Sequence, residues 1–285
     1  IMGTRLANKV AIITGATLGL GKASALLFAQ ESASVVICDR GRTPENAQKV
    51  LQQAEGLKGE IIYKKCDVLK PEDITALAQF CLQRYGKVDI MANNAIIENP
   101  AGLLEEVKLR DWEDGLFCHL TAPLLFCKEV VPSMIKQGGG SIINVSSSNA
   151  LSGGTSISSY GPAKAGVINF TKSLAVTYGP YGIRANTLTP ARMLTEKKLK
   201  MLKDNPAEVR RQKILYPLGR PSQPKEVAQV ILFLASEESS AITGHNLVVD
   251  NGSTAFNALN IPARLEADIR QQLEAQGSEW IEGEI

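Results

Sequence analysis

The stretch Val10-Ala11-Ile12-Ile13-Thr14-Gly15-Ala16-Thr17-Leu18-Gly19-Leu20-Gly21 decides the fold of this chain. Residues 10–14 form an apolar run, typical of a strand that is covered on both faces. The residues after the glycine turn have the apolar spacing of a helix. A strand, a glycine-rich turn and a helix in this order let bare backbone approach a pyrophosphate at the positive helix N-terminus. The stretch therefore predicts a dinucleotide site, against the alternative of a tight turn without a ligand, at Gly15, Thr17, Leu18, Gly19 and Leu20.

Short apolar runs alternate with helix-length segments along the rest of the chain. Strands are predicted at residues 10–14, 34–38, 60–66, 88–92, 141–146, 183–188 and 245–249. This alternation predicts a parallel sheet, because each right-handed crossover needs a dozen or more residues and places a helix on a sheet face. We therefore expect an α/β fold with a single Rossmann-type, doubly wound parallel sheet and helices on both faces.

The length of 285 residues is compatible with one domain or two. No proline-rich or glycine-serine linker divides the chain, so residues 1–252 are interpreted as one dinucleotide-binding domain. Residues 253–285 exceed what the strand and helix alternation requires. Leu265, Ile269 and Leu273 recur there at helical spacing, which predicts a C-terminal helical extension of the same domain.

Composition excludes several classes of protein. Hydrophobic residues at 44% and charged residues at 21% are typical of an ordinary globular chain, and a net charge of +2 argues against a nucleic-acid partner. No apolar run approaches the roughly 18–20 residues that span a bilayer, and residues 1–9 lack the apolar stretch of a signal peptide. We therefore expect no membrane partner and a cytoplasmic location. Five cysteines without a CxxC pair are expected to be reduced core thiols, and no metal site is assigned: Cys38, Cys66, Cys81, Cys118 and Cys127.

Asp39 ends the second predicted strand, about twenty residues after Gly19. A carboxylate at this point accepts hydrogen bonds from the adenosine ribose hydroxyls and repels a 2′-phosphate, which favours NAD over NADP. Arg40 and Arg42 follow directly and offer two alternatives. Either arginine can turn toward a 2′-phosphate, or both are solvated loop residues.

The segment Tyr160-Gly161-Pro162-Ala163-Lys164 places a phenol and an ammonium one helical turn apart. Alone the spacing is weak evidence, since one tyrosine and one lysine meet this way by chance. Ser147 follows the fifth predicted strand thirteen residues earlier, and the glycine turn lies upstream in the right context. Together these features predict a catalytic Ser147, Tyr160 and Lys164.

With these residues the chain resembles the short-chain dehydrogenase/reductase family. The family's TGxxxGxG turn matches residues 14–21, and its Ser, Tyr and Lys match the three residues above. The likeness covers roughly residues 5–252 and includes a counterpart of the family's PGxIxT at residues 190–195. It implies an NAD(P)-dependent oxidoreductase that transfers a hydride between a nicotinamide cofactor and a secondary alcohol or ketone. It also implies further cofactor contacts at Asp67, Val68, Asn94, Ala95, Pro190, Met193 and Thr195.

The residue types fit this chemistry. Hydride transfer to a ketone builds negative charge on oxygen, which a hydrogen bond from Ser147 and a proton from Tyr160 neutralise. Free tyrosine has a pKa of about 10, so the positive charges of Lys164 and of an oxidised nicotinamide are expected to lower it. The resemblance also implies that Lys164 holds the nicotinamide ribose.

The chain departs from the family pattern at several positions. His119 stands where the family has an asparagine that holds a proton-relay water, in a kinked helix. Imidazole can replace it in the relay and add a pH dependence near neutrality, or it is a half-buried histidine bonded to backbone. Ile96, Ala191 and Asn251 replace family glycines. These side chains leave open a second class of protein, a cofactor-binding regulator with little turnover.

Substrate identity is not written in the motifs, because loops on this scaffold decide it. Substrate contacts are assigned to Ser147, Asn149, Gly153 and Tyr160. A 3-oxoacyl thioester, a sugar, a steroid and an aromatic diol remain open, as does the direction of reaction. The family resemblance implies that the long apolar segments 112–135 and 159–178 pair across a two-fold axis, so a homodimer or homotetramer is expected.

Overall fold

The computed structural model describes residues 4–98, 100–194, 200 and 205–255. In this part of the chain, seven parallel strands form one sheet in the order β3-β2-β1-β4-β5-β6-β7. Their bounds are β1 Val10–Thr14, β2 Ser34–Cys38, β3 Glu60–Tyr63, β4 Ile90–Asn93, β5 Gly140–Val145, β6 Ile183–Pro190 and β7 Asn246–Val249. The predicted α/β fold with a Rossmann-type parallel sheet is confirmed.

Two of the differences between predicted and observed strand bounds have local causes. The third strand ends at Tyr63 rather than at residue 66, since Lys64 and Lys65 are exposed at the edge of the sheet. The fourth begins at Ile90 rather than at residue 88. The Asp89 carboxylate accepts the Val10 N–H at 2.7 Å, so a side chain occupies the place of a ladder bond.

Helices cover both faces of the sheet, as predicted. They are α1 Gly19–Gln30, α2 Pro44–Ala54, α3 Pro71–Tyr85, α4 Leu109–Leu116, α5 Ala122–Lys136, α6 Tyr160–Tyr178, α7 Pro206–Leu215 and α8 Pro224–Ala235. Successive side chains of a strand point to opposite faces. Ala11 and Ile13 accordingly pack into a core beneath α1 and α8, whereas Val10 and Ile12 pack into a second core beneath α3 and α5.

The strand order reverses at β1, which lies between β2 and β4. In open parallel sheets, ligands bind at this point, in the crevice above the carboxyl ends of the strands. Gly15, Asp39, Asn94 and Ser147 all follow such strand ends. The fold therefore places the predicted site residues along one crevice.

The predicted tail helix, with Leu265, Ile269 and Leu273, lies outside the described residues. Residues 253–255 form a turn after β7. The division at residue 252 stays a prediction. Within the described ranges, no helix is both long and apolar enough to span a bilayer.

Candidate active site

The glycine turn after β1 is held against the end of β4. The Thr14 hydroxyl oxygen accepts the backbone N–H groups of Asn94 and Ala95, both at 2.9 Å. The Asn94 side-chain amide donates to the carbonyls of Thr14 and Gly15. Gly15 has a φ of +63°, and a Cβ there would lie 2.7 Å from the Ala95 Cα. Only glycine fits this position, and Asn94 and Ala95 support the turn that the sequence assigns to the cofactor.

The first turn of α1 fits the diphosphate of a dinucleotide. Leu18 precedes the helix, 60% exposed, and no side chain caps the helix start. Gly19 has a φ of +55°, and its missing Cβ would meet no atom within 4 Å. The helix N-terminus thus faces open space with its positive dipole end, where backbone N–H groups bind phosphate oxygens.

Asp39 is the centre of a hydrogen-bonded cluster at the adenosine end of the crevice. Its carboxylate accepts the Gly41 N–H at 2.7 Å, the Tyr63 hydroxyl at 2.9 Å and the Thr17 hydroxyl. Burial and the Asp39 charge raise the pKa of Tyr63. Sequence reasoning predicted Thr17 and Asp39 but missed Tyr63, the last residue of β3, because nothing in a lone edge strand signals this contact.

The remaining adenosine-side residues surround this cluster. Arg40 is half-buried, whereas Arg42 is exposed. Burial raises the pKa of the Cys118 thiol, and the charges of Lys164 and Arg40 oppose this rise. Asp67 accepts the Leu69 N–H at 3.2 Å, and the backbone N–H of Asp67 donates to Asp73. Val68 is buried in the core beneath α3 and α5.

Ser147, Tyr160 and Lys164 come together at the carboxyl end of β5. Tyr160 begins α6, and Lys164 one turn later is buried, with its Nζ 5.7 Å from the Tyr160 ring centroid. This ammonium donates to the Val145 carbonyl at 2.6 Å. Burial lowers the pKa of Lys164 to about 8. Ser147 follows the same strand, and its side chain acts to lower the pKa of Tyr160.

The protein's own groups raise the pKa of Tyr160 rather than lower it. Burial is the largest cause, and the hydrogen bond to Ser147 opposes it. Lys164 is engaged with the Val145 carbonyl on the buried side of the helix. The expected lowering therefore depends on the positive charge that an oxidised nicotinamide adds, and it stays a prediction.

His119 lies beneath Tyr160 in a π-helical turn, Phe117–Thr121, which interrupts the helix between α4 and α5. Such turns concentrate at functional sites. The two rings meet edge to face with centroids 4.9 Å apart, and the His119 Nε2 accepts the Ile97 N–H at 3.4 Å. Burial, then the Lys164 charge, lowers the pKa of His119 to about 3. Burial therefore argues against an imidazole that titrates near neutrality, and both the pH dependence and the relay role stay predictions.

A pocket of about 540 Å³ opens over Ser147 and Tyr160. The described residues that line it are Ser147, Ser148, Asn149, Tyr160, Ala191, Arg192, Leu215, Tyr216 and Ser253. Asn149 lines this pocket, whereas Gly153 is exposed and does not, and both substrate assignments stay predictions. Arg192 and Tyr216 were missed. Arg192 stands inside the counterpart of PGxIxT and could have been found there, but nothing in the sequence marks Tyr216.

The glycine replacements do not distort the backbone around this pocket. Asn251 takes a φ of +55°, a conformation that asparagine tolerates. Ile96 and Ala191 are not among the described residues with positive φ. Ile96 is 64% exposed, and Ala191 contributes only a methyl group to the pocket wall.

The residues at the nicotinamide end are only partly described. Pro190 is buried at the end of β6, and Met193 forms an isolated bridge with Ser222. Thr195 lies outside the described residues. The crevice thus joins a helix start that fits a phosphate, a carboxylate that fits a ribose and a serine-tyrosine-lysine group, the combination that nicotinamide-dependent oxidoreduction needs.

Comparisons with known proteins also indicate a nicotinamide-dependent oxidoreductase. The family model described as enoyl-(acyl carrier protein) reductase matches residues 15–254. The chain is 41% identical over 251 residues to 3-oxoacyl-(acyl-carrier-protein) reductase FabG of Thermotoga maritima, covering 87% of this chain and 98% of that one. It is 37% identical over 255 residues to cyclohexanol dehydrogenase of Acinetobacter sp., covering 90% and 98%. The crystal structure of carveol dehydrogenase from Mycobacterium avium in complex with NAD is similar at a TM-score of 0.81 and 27% identity, covering 89% of this chain and 100% of that one.

The chain belongs to the short-chain dehydrogenase/reductase family. It is an NAD(P)-dependent oxidoreductase that acts on the CH–OH group of an alcohol or on the corresponding ketone.

Proposed function

We propose that this enzyme interconverts a small secondary alcohol and its ketone, using Ser147, Tyr160 and Lys164, with NAD as the preferred cofactor. The observation that carries the proposal is the gathering of Ser147 and Tyr160 on the wall of one pocket, with Lys164 buried beneath the phenol.

In the direction of reduction, the Ser147 hydroxyl donates a hydrogen bond to the substrate carbonyl oxygen. The Tyr160 phenol then gives that oxygen a proton as negative charge develops on it. In the direction of oxidation, Tyr160 takes the proton back. The nicotinamide, when bound, supplies or accepts the hydride.

Lys164 and His119 act from the buried side of Tyr160. The Lys164 ammonium lies 5.7 Å from the centre of the Tyr160 ring, and we propose that it favours proton release from the phenol together with the positive charge of an oxidised nicotinamide. Since the pKa of Lys164 is lowered to about 8, its charge is lost as the pH rises above that value. Neutral His119 fixes the adjoining loop through the Ile97 N–H and presents its ring edge or face to the phenol. We propose that it takes the place of the family's asparagine in the proton relay.

The preference for NAD is supported by the Asp39 cluster. Three donors fix the carboxylate at the end of β2, where it can accept hydrogen bonds from the ribose hydroxyls and repel a 2′-phosphate. The solved carveol dehydrogenase with NAD is a relative that supports the same cofactor. Arg40 beside Asp39 is the feature that would favour NADP. Measuring kcat/KM with NAD and with NADP tests the proposal, and a strong preference for NADP would contradict it.

Two substrate classes have specific support. A ring alcohol or ketone is supported by the likeness to cyclohexanol dehydrogenase and by a pocket of a size suited to one small molecule. A 3-oxoacyl thioester is supported by the 41% identity to the acyl-carrier-protein reductase.

A cofactor-coupled assay separates these classes. Cyclohexanol, cyclohexanone and a 3-oxoacyl thioester are each supplied with NAD(H) and NADP(H), and absorbance at the nicotinamide band is followed. Turnover of the ring compounds supports the first class, and turnover of the thioester alone replaces it with the second. Binding of NAD without turnover of any substrate would favour the cofactor-binding regulator.

We propose further that the enzyme is a homodimer or homotetramer of the cytoplasm. Apolar side chains on the outer helices support self-association, including Leu109, which is 69% exposed, and Val176, which is 80% exposed. Light scattering coupled to size-exclusion chromatography tests this, and a monomeric mass would refute it.

A further inference from the structure

Arg192 brings an ionised side chain into a pocket whose other lining groups are neutral. It is the first residue after Ala191 at the carboxyl end of β6 and lines the same pocket as Ser147 and Tyr160. Among the described lining residues, it alone carries a full charge at neutral pH. The guanidinium therefore lies within reach of a molecule whose carbonyl meets Tyr160.

The one acidic partner of Arg192 that the structure shows is shared. Glu208 accepts from Arg192 at 3.4 Å, from the Gln212 amide at 2.6 Å, and lies 3.8 Å from Arg211. Within the described part of the chain, two guanidinium groups thus meet a single carboxylate, which leaves one positive charge without a paired acid. The Arg192 side chain is 54% exposed, and its guanidinium carries five N–H donors.

Among the described residues, Glu208 is the acidic group that forms an ion pair with Arg192. Asp250 lies close enough to raise the pKa of Tyr216, but its carboxylate is occupied by Ser253, by the Gly252 N–H and by both the N–H and the hydroxyl of Thr254. Tyr216 itself is buried in the pocket wall, where Arg192 acts on its pKa in the opposite direction. The wall around Arg192 is therefore electrostatically suited to an anion.

We propose that Arg192 forms an anion subsite in the substrate pocket, so that the preferred alcohol or ketone carries a carboxylate on the side remote from the reacting carbon. This inference rests on the proposed function. A volume of 540 Å³ corresponds to a sphere about 10 Å across. The carbonyl and the anion must therefore belong to one compact molecule, which a planar guanidinium binds through two parallel hydrogen bonds.

The inference is tested with matched ketones that differ in charge alone. We compare kcat/KM for 4-oxocyclohexanecarboxylate and its neutral carboxamide, in wild type and in Arg192→Gln and Arg192→Lys. Wild type is expected to prefer the carboxylate by about tenfold to a hundredfold, because hydrogen bonds to charged groups have that effect on affinity. Arg192→Gln should abolish the preference through KM, and Arg192→Lys should retain part of it.

Arg84→Gln is the matched control, since Arg84 is a half-exposed arginine that meets Glu60 and does not line the pocket. It should leave the preference almost unchanged. A wild-type ratio near one, or equal losses for both ketones in Arg192→Gln, overturns the anion subsite. So does an Arg192→Gln variant that binds NAD more weakly in calorimetry and keeps the ratio, because Arg192 would then hold the cofactor.

A binding measurement separates this inference from the proposed function. Unreactive cyclohexanecarboxylate and cyclohexanecarboxamide are titrated into the enzyme in the presence of NAD. If the wild type binds the carboxylate more tightly than the carboxamide and Arg192→Gln removes this difference, the subsite is supported even if neither ketone is turned over. Equal binding of the two compounds overturns it, while turnover of cyclohexanone would leave the proposed function intact.

Discussion

The two ends of the crevice are built in different ways. At the adenosine end, Gly15 packs against Ala95 and the Asp39 carboxylate has three donors, so backbone and side chains are fixed by bonds. At the substrate end, a pocket of about 540 Å³ is bounded by separate segments that reach from Ser147 to Ser253. We expect the first end to recognise the cofactor through backbone geometry. We expect the second end to recognise the substrate through individual side chains.

The largest effect is expected at Tyr160, where the two ends meet. Tyr160→Phe removes the proton donor but keeps the ring that packs on His119, so kcat should fall by roughly 10²- to 10⁴-fold. NAD affinity, measured by calorimetry, should change little if chemistry and cofactor binding are divided between the ends as described.

Tyr181→Phe is the control, because Tyr181 is 49% exposed on the short helix after α6 and lies outside the crevice lining. Its activity should match wild type. Unchanged turnover in Tyr160→Phe would show that another group carries the proton.

A smaller effect is expected at the adenosine end, from Asp39→Asn. The change removes the charge that accepts from the ribose hydroxyls and repels a 2′-phosphate. Affinity for NAD should fall by about ten- to a hundredfold, and the ratio of kcat/KM for NAD over NADP should narrow. Glu45→Gln, an exposed acid at the start of α2, serves as the control. If Asp39→Asn leaves the ratio unchanged, Arg40 rather than Asp39 governs the choice of cofactor.

The same contrast explains what could be predicted from sequence. The predicted bounds of β1 and β2 coincide with the observed ones, and the glycine turn lies where the motif placed it, because local sequence determines local backbone. Tyr63, Arg192 and Tyr216 reach their sites through tertiary packing. No spacing rule links Tyr216 to Ser147. The sequence therefore indicated some lining residues of the substrate pocket but not Arg192 or Tyr216.

His119 shows the limit of reasoning from residue type alone. Its position and the kinked helix were anticipated, but its protonation state was not, because an ordinary histidine pKa assumes contact with water. Burial beneath Tyr160 changes that assumption.

Packing at the glycine turn should affect stability next. In Gly21→Ala, the new Cβ would lie 2.5 Å from the Gly15 carbonyl oxygen and 2.6 Å from the Asn94 amide nitrogen. Overpacking of this kind costs about 1–3 kcal/mol in the free energy of unfolding, and urea denaturation measures it.

Gly179→Ala is the matched control, since Gly179 also has helical backbone angles and its Cβ would meet no atom within 4 Å. That variant should be neutral or slightly more stable. Equal free energies of unfolding for the two variants would mean that the glycine turn is not tightly packed. The contrast between a fixed adenosine end and an open substrate end would then fail.

The most gradual effect is a pH dependence of stability that originates at His119. The folded state holds this imidazole neutral, with its pKa lowered to about 3, whereas the unfolded chain takes up a proton below about 6.5. Between these values the unfolded state binds more protons, so the free energy of unfolding falls as the pH falls, by up to about 1.4 kcal/mol per pH unit from this group. In His119→Asn this contribution disappears, and the difference in stability between variant and wild type should shift steadily from pH 6.5 to pH 4.

His245→Asn provides the comparison, because the chain has two histidines and His245 is exposed. Its stability should follow the wild-type curve. Because His119 is neutral, the pH–activity profile of the wild type should have no inflection near pH 6.5 that is lost in His119→Asn. Such an inflection would mean that His119 contacts water in the working enzyme. The ring would then belong to the solvent-accessible substrate end and not to the buried part of the crevice.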